Sequence, residues 1–235
     1  AGAPKFPSSL PIRFLLREAL RQEDAGLRDM AILTLRKMAA GGMYDHVAGG
    51  FHRYSTDQTW LVPHFEKMLY DNALLVVAYL EGYQSTGDAH FVGVARDILR
   101  YVEREMMSPE GGFYSATDAD SLGPDGEWDE GYFFTWTPSE LAQLLGAERA
   151  KLVGAAYAVT VTGNFEGRNI LHQPQTLDEV AQQQGLSLEE LREVLDTAGA
   201  SYVALAEALD CAVVTADAKL SAITAARCPV LRVAN

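Results

Sequence analysis

Cysteine is nearly missing from this chain. Its two, Cys211 and Cys228, lie close to the C-terminus of 235 residues, and neither falls in a CxxC or zinc-ligand spacing. A disulfide scaffold, a dithiol redox pair and a structural zinc site are therefore excluded, and both read as reduced thiols. Long apolar runs are missing too. The longest candidate, Ala73 to Leu80, is far short of the roughly 20 residues that span a bilayer. The opening AGAPKFPSSLPIRF lacks the basic region and unbroken apolar run of a secretory signal. The expectation is a cytoplasmic protein with no membrane partner. Basic residues are scarce, 19 Lys and Arg against 32 Asp and Glu, giving a formal net charge of −13. Nucleic acid held by phosphate neutralisation needs a clustered cationic surface, which this sequence nowhere shows. Such a balance favours small neutral or cationic ligands, and acid spread along the chain reads first as solvated surface.

What is present is enough apolar material, 48% of residues, to bury a real core. Its spacing is mostly helical. Pro7 to Gln22 is apolar at Leu10, Phe14 and Leu15, with Ser8 or Ser9 placed to cap a helix, and Leu27 to Ala40 carries a stripe of Leu27, Met30, Ala31, Leu33, Thr34 and Met38 before Gly41-Gly42. The two predict a helical hairpin. Residues 43–63 break that pattern and read as an irregular excursion with short extended pieces. A long helix is predicted from His64 to Thr86, closed by Gly87, with Asp88 to Met107 as its antiparallel mate. Two short strands, Gly112 to Ala116 and Gly131 to Trp136, are expected around an acidic loop. Thr137-Pro138-Ser139-Glu140 then starts a helix to Leu145, and further helices are predicted at 147–157, 176–184 and 187–197, with GNFEGRNIL as a loop between. The last stretch changes rhythm: helix 200–209, strand 211–215, helix 216–225 and strand 229–233. The fold class expected is mainly α, built of helical hairpins with short β insertions and a small C-terminal α/β segment.

Reactive side chains are densest at His46, His52, Arg53, Tyr54, Asp57, His64, Glu66, Lys67, Tyr70 and Asp71. On a helix starting near Pro63, His64, Lys67 and Asp71 would share one face while Glu66 and Tyr70 share another. Both sets reach one ligand only where the helix start itself enters the pocket. The plainer reading is that Glu66 complements the helix dipole and His64 caps the helix. A saccharide needs an aromatic platform and groups that fix hydroxyls, and Arg53, Tyr54, Trp60, Tyr70 and Asn72 supply that chemistry. Asp118 and Asp120 in TDADS, with Glu127, Asp129 and Glu130, add carboxylates, and Trp136 adds a second aromatic surface. A glycoside hydrolase uses two carboxyl groups and an epimerase can use two histidines; the residues offer both sets and select neither. The candidate catalytic residues are thus His52, His64 and Glu66, with Asp71, Asp118 and Asp120 in support. The candidate substrate-binding residues are Arg53, Tyr54, Trp60, Tyr70, Asn72, Glu130, Trp136 and Arg168. Arg168 is expected to brace the Asp118 and Asp120 loop through a bidentate pair. A calcium site in the acidic loop would need EF-hand spacing, which it lacks. No cofactor and no metal are expected.

GGMYDHVAGGFHRYSTDQTWLVPHFEKMLYDNALL resembles the signature of the spermatogenesis-associated thioredoxin-like protein family, and GGFYSATDADS, EGYFFTW and GNFEGRNIL follow in that family's order. The resemblance covers residues 1–197. It implies the first part of an (α/α) six-hairpin toroid of the N-acylglucosamine 2-epimerase and glycosidase type, a carbohydrate-active enzyme working by acid/base chemistry on a small saccharide. Only about three hairpins are present, without the family's preceding thioredoxin-like domain. An incomplete ring leaves an apolar flank, from which a homo-oligomer is expected. Half a pocket also admits a non-catalytic sugar-binding or assembly fragment. Residues 198–235, with ASYVALAEALDCAVVTADAKL and CPVLRV, resemble the end of a PIN-domain toxin nuclease. Such nucleases gather acidic residues around magnesium; here Asp217 matches while Gly199 stands where an Asp is usual. Metal-dependent RNA cleavage is therefore the least supported alternative, and a packing module the plainer one.

Overall fold

The computed structural model describes residues 2–123, 126–208, 213–215 and 230–232. Backbone contacts divide the chain into two compact units, residues 1–44 with 49–117, and residues 45–48 with 118 onward. The fold is mainly helical, as the periodicity implies.

In the first unit, α1 (Ser9–Gln22) and α2 (Ala25–Ala40) form a hairpin, and α3 (Leu69–Thr86) and α4 (Ala89–Tyr101) form another that packs beside it. Ser8 sits in the left-handed region and makes no capping bond. Asp24 instead caps α2, accepting from the amides of Gly26 at 2.8 Å and Leu27 at 3.2 Å. Gly87 ends α3 at φ 71° and Asp88 caps α4. The buried faces differ from the expected stripes. On α1 they are Ile12, Leu16 and Ala19, and on α2 Ala31, Ile32, Leu35, Met38 and Ala39, whereas Leu10, Phe14, Met30 and Leu33 are exposed. Each helix carries two apolar stripes, and the neighbouring helices decide which is covered. Phe51, Leu75, Tyr79, Phe91 and Ile98 complete this core.

The excursion between the hairpins extends further than expected. Its elements are β1 (Tyr54–Ser55), β2 (Pro63–His64) and β3 (Lys67–Met68). β1 pairs antiparallel with β2, Tyr54 opposite His64, and β3 pairs with β4 (Ala116–Thr117). The helix predicted from His64 therefore begins only at Leu69. Between 62 and 68 the residues alternate between partly exposed and buried, the period of two of a strand. The expected strand at 112–116 shrinks to β4, following a five-residue π-turn, Val102–Met106, that ends α4.

In the second unit the acidic loop makes its own hairpin, β5 (Asp120–Leu122) against β6 (Trp128–Glu130). The strand expected at 131–136 is a 3₁₀ turn, Tyr132–Phe134, followed by β7 (Thr135–Trp136), which pairs with β8 (Asn169–Ile170) inside the predicted loop. Helices α5 (Pro138–Leu145) and α7 (Leu177–Gln184) both start in full capping boxes, Thr137 with Glu140 and Thr176 with Glu179. Leu141, Val153, Tyr157, Leu171, Val180 and Leu191 form their core with α6 (Ala147–Ala156) and α8 (Leu188–Ala208). α8 runs unbroken through Gly199, and the junction read at residue 198 lies within it. Beyond it, β9 (Val213–Thr215) and β10 (Val230–Arg232) pair in parallel. Cys211, Asp217, Cys228 and the helix predicted at 216–225 lie outside the described residues. Among the described residues no helix is long and apolar enough to cross a membrane.

Candidate active site

The glycine pair at the head of the long motif makes the site possible. Gly49 and Gly50 both take φ 79°, and a Cβ on Gly49 would meet the Asp97 carbonyl oxygen at 2.6 Å. That conformation and that approach require glycine. The chain then enters the core at Phe51, whose amide donates to Asn72 Oδ1 at 2.7 Å and whose carbonyl accepts from Asn72 Nδ2 at 3.0 Å. Asn72 is completely buried and also donates to the Met68 carbonyl, so its amide is consumed by the backbone. Its assignment to substrate binding is corrected to a structural one.

Extended backbone from Pro63 to Met68 sorts the next side chains by parity. Phe65 and Lys67 point inward, and the Lys67 ammonium donates to the Gly49 carbonyl at 2.9 Å and lies 4.3 Å over the Tyr101 ring. His64 and Glu66 are partly exposed, with His64 Nε2 3.7 Å from Glu66 Oε2. A helix would have separated these two; a strand puts residues i and i+2 on one side. Tyr54, opposite His64 in the β1–β2 register, stacks on its ring at 5.0 Å. Arg53 donates to Glu66 Oε2 at 2.8 Å.

At the start of α3 the chain adds Tyr70, half exposed, and Asp71. Burial pushes the Asp71 carboxyl up to about 6, against the pull of Arg53 and a hydrogen bond with Tyr70, and with a further push from Glu66. Asp71 Oδ2 and Arg53 Nε are both buried without a hydrogen-bond partner. Arg53, His64, Glu66, Tyr70 and Asp71 thus converge, with one carboxyl pushed up by burial beside another that is ion-paired. A carboxyl raised by burial is better matched to general-acid work near neutral pH than one at its ordinary value.

His52 does not join them at the surface. It is 2% exposed, its Nδ1 2.8 Å from the Phe65 carbonyl and its ring edge-on to Phe65. Trp60 is also corrected: it is 7% exposed within the core, with the Lys5 ammonium 3.9 Å over its ring, and cannot offer a face to a sugar. Asp57 organises the preceding loop by accepting from the amides of Thr59, Leu61 and Val62. Burial opposes ionisation of Asp57, but those bonds and the Thr59 hydroxyl hold its carboxyl below the ordinary range.

The remaining candidates belong to the second unit, which also contains His46, its ring tilted against that of Tyr157 at 5.1 Å. Asp118 accepts from the Asp120 amide at 3.2 Å, and Asp120 faces Glu130 across β5–β6, both exposed. Trp136 packs against the second core. Arg168 does not brace the Asp118 and Asp120 loop. Its bidentate partner is Glu140, at 3.0 and 2.9 Å, while its Nε donates to Thr135 Oγ1 at 2.9 Å and it lies 4.3 Å over the Tyr132 ring. Glu140 simultaneously closes the α5 capping box, so one carboxylate ties helix, strand and loop together. Burial opposes its ionisation, but Arg168 and Thr137 hold its carboxyl below the ordinary range. The capping box was the sequence signal that located Glu140; nothing local identified its distant partner.

No family model matches the chain. Spermatogenesis-associated protein 20 of Homo sapiens is 42% identical over 221 aligned residues, 84% of this chain and 28% of that protein. An uncharacterised protein of Caenorhabditis elegans is 34% identical over 83% of this chain and 30% of its own length. The chain therefore spans less than a third of these relatives. Its C-terminal region matches ribonuclease VapC9 of Mycobacterium tuberculosis at 58% identity over 41 residues, 17% of this chain and 32% of that one. Among solved structures, a sugar epimerase from a ruminal bacterium aligns with 50% of this chain and 31% of its own at 16% identity and a TM-score of 0.40, too slight a likeness to fix the fold. Over 84% of its length, then, the chain is homologous to a segment of the spermatogenesis-associated protein 20 family.

Proposed function

We propose that the chain carries the acid/base half of a carbohydrate-active enzyme, with Asp71 as the general acid and Glu66 as the base. The observation that carries this reading is the convergence of Glu66, Asp71, Arg53 and His64 in the first unit, Asp71 being raised to about 6. A polyhydroxylated substrate suits the site because Tyr70 and the Tyr54–His64 stack offer ring faces for its C–H surface. Arg53 and the two carboxyl groups offer donors and acceptors for hydroxyls. Arg53 pairs with Glu66 and Tyr70 positions Asp71. Hydrolysis and epimerisation both draw on such a pair.

The test is a panel of aryl glycosides and disaccharides, followed for hydrolysis and for epimerisation, with the chain beside Glu66→Gln and Asp71→Asn. Each substitution is expected to lower kcat by about a hundredfold or more, with the circular dichroism spectrum unchanged. Silence of the folded wild-type chain across the panel leaves the non-catalytic sugar-binding fragment as the reading. Ribonuclease activity has the VapC9 match in its favour and Asp217 as its one matching acid; magnesium-dependent RNA loss that Asp217→Ala fails to abolish would rule it out.

A further inference from the structure

The residues ahead of α1 reach the strands that carry the Glu66 cluster. Lys5 and Ser55 exchange both backbone hydrogen bonds, each at 2.8 Å, so the opening segment lies antiparallel to β1 on the edge away from β2. Residues opposite one another then form rows across three strands, and the pleat sends alternate rows to opposite sides. Lys5, Ser55 and Pro63 make the inward row. Ser55 and Pro63 are buried, and the Lys5 ammonium donates to the Gln58 carbonyl at 3.0 Å and lies over the buried Trp60 ring. Phe6, Tyr54 and His64 make the outward row.

The outward row is continuous. The Phe6 and Tyr54 ring centroids are 5.0 Å apart with their planes at 38°, and those of Tyr54 and His64 are 5.0 Å apart at 23°. His64 in turn lies beside Glu66, Nε2 to Oε2 3.7 Å. Tyr54 and His64 are partly covered by their neighbours, while Phe6, on the outermost strand, is 49% exposed. The Lys5–Ser55 pairing before it and the buried Pro7 after it fix its backbone, so little ordering remains to be done when a ligand arrives. A fixed, open aromatic ring in line with an acid/base pair suits the apolar C–H face of a sugar that is not itself reacting.

Resting on the acid/base reading of Glu66 and Asp71, we infer that Phe6 is a specificity-determining residue that stacks on a unit remote from the reacting one. The substrate is then an oligosaccharide of neutral pyranose units, not a free monosaccharide. Phe6 lies two strands from His64, strands are about 4.8 Å apart, and one such spacing is close to the width of a pyranose ring. A monosaccharide held at Glu66 leaves Phe6 uncovered, and a second or third unit covers it. Neutral units suit the row, since Lys5 points inward and Arg53 is paired with Glu66.

Isothermal titration of the full chain carrying Glu66→Gln, so that the sugars stay intact, tests this with glucose and its β-1,4- and α-1,4-linked dimers and trimers. The trimer of one series is expected to bind about tenfold more tightly than glucose, or better. Adding Phe6→Ala should remove that gain and leave glucose unchanged, a split that a purely structural role of the ring would not produce. Phe6→Leu, which keeps an apolar side chain at the strand edge, should do the same and carries the test where Phe6→Ala does not fold. Equal affinity for one, two and three units, or a gain untouched by the Phe6 variants, overturns the inference and leaves the acid/base reading standing. Binding of no sugar by the folded variant and wild-type chains alike overturns both.

Discussion

Asp71 is the residue on which most depends. Its carboxyl is raised from 3.8 to about 6, chiefly by burial, so the folded chain holds that proton more tightly than the unfolded one. The stability this group contributes is therefore fully present below about pH 4 and is lost as pH rises through about 6. Glu81, Glu140, Asp57 and Asp88, all held below their ordinary values, act in the opposite sense and are lost as pH falls. The useful quantity is thus a difference: the melting temperature of wild type minus that of Asp71→Asn should decline between about pH 4 and 6 and then level off. A flat difference would assign the raised value to no real group. Asn72 beside it is structural, and Asn72→Ala strands the buried amide and carbonyl of Phe51. A loss of about 2–4 kcal/mol in urea titration is expected.

At the scale of elements, the unexpected feature is where α3 begins. Pro63 to Met68 has residues that suit a helix, but tertiary contacts hold it extended: β1 pairs with it at His64, β4 pairs with it at Lys67, and Lys67 reaches the Gly49 carbonyl. None of those partners is local, so helical spacing could not reveal the strand parity that joins His64 to Glu66. The helix faces pose the same question in a form that can be measured. Leu35 is fully buried and Leu33 is 57% exposed on the same helix. Leu35→Ala should cost about 2–5 kcal/mol and Leu33→Ala within about 0.5 kcal/mol; similar costs would mean that the helix is rotated about its axis. For α5, Thr137→Ala removes one half of the capping box and should cost about 1 kcal/mol by thermal denaturation.

At the scale of the whole molecule, the chain is two compact units joined around residues 45–48 and 117–118, spanning 28% of its human relative. Leu10, Phe14, Met30 and Leu33 are all more than half exposed, which is more apolar surface than these two helices need to show water. We propose that copies of the chain associate through it. Sedimentation velocity should then give a mass of at least twice 25.6 kDa, and Phe14→Glu with Leu33→Glu should return the monomer. A monomeric wild type across a wide concentration range would remove the homo-oligomer from the reading.

Helix content, the hairpins, the Gly87 stop and the Thr137 cap were all legible in the sequence, because each depends on contacts within a few residues or on a short repeat. The residues of the candidate site were legible as a set for the same reason: they lie within one motif between His52 and Asn72. Their geometry was not. Whether His64 and Glu66 share a face, which stripe of α2 is buried, whether Trp60 is a platform or a core residue, and which carboxylate receives Arg168 are each settled by partners between about 10 and 50 residues away. Local sequence encodes which side chains are available, and long-range packing decides which of them meet.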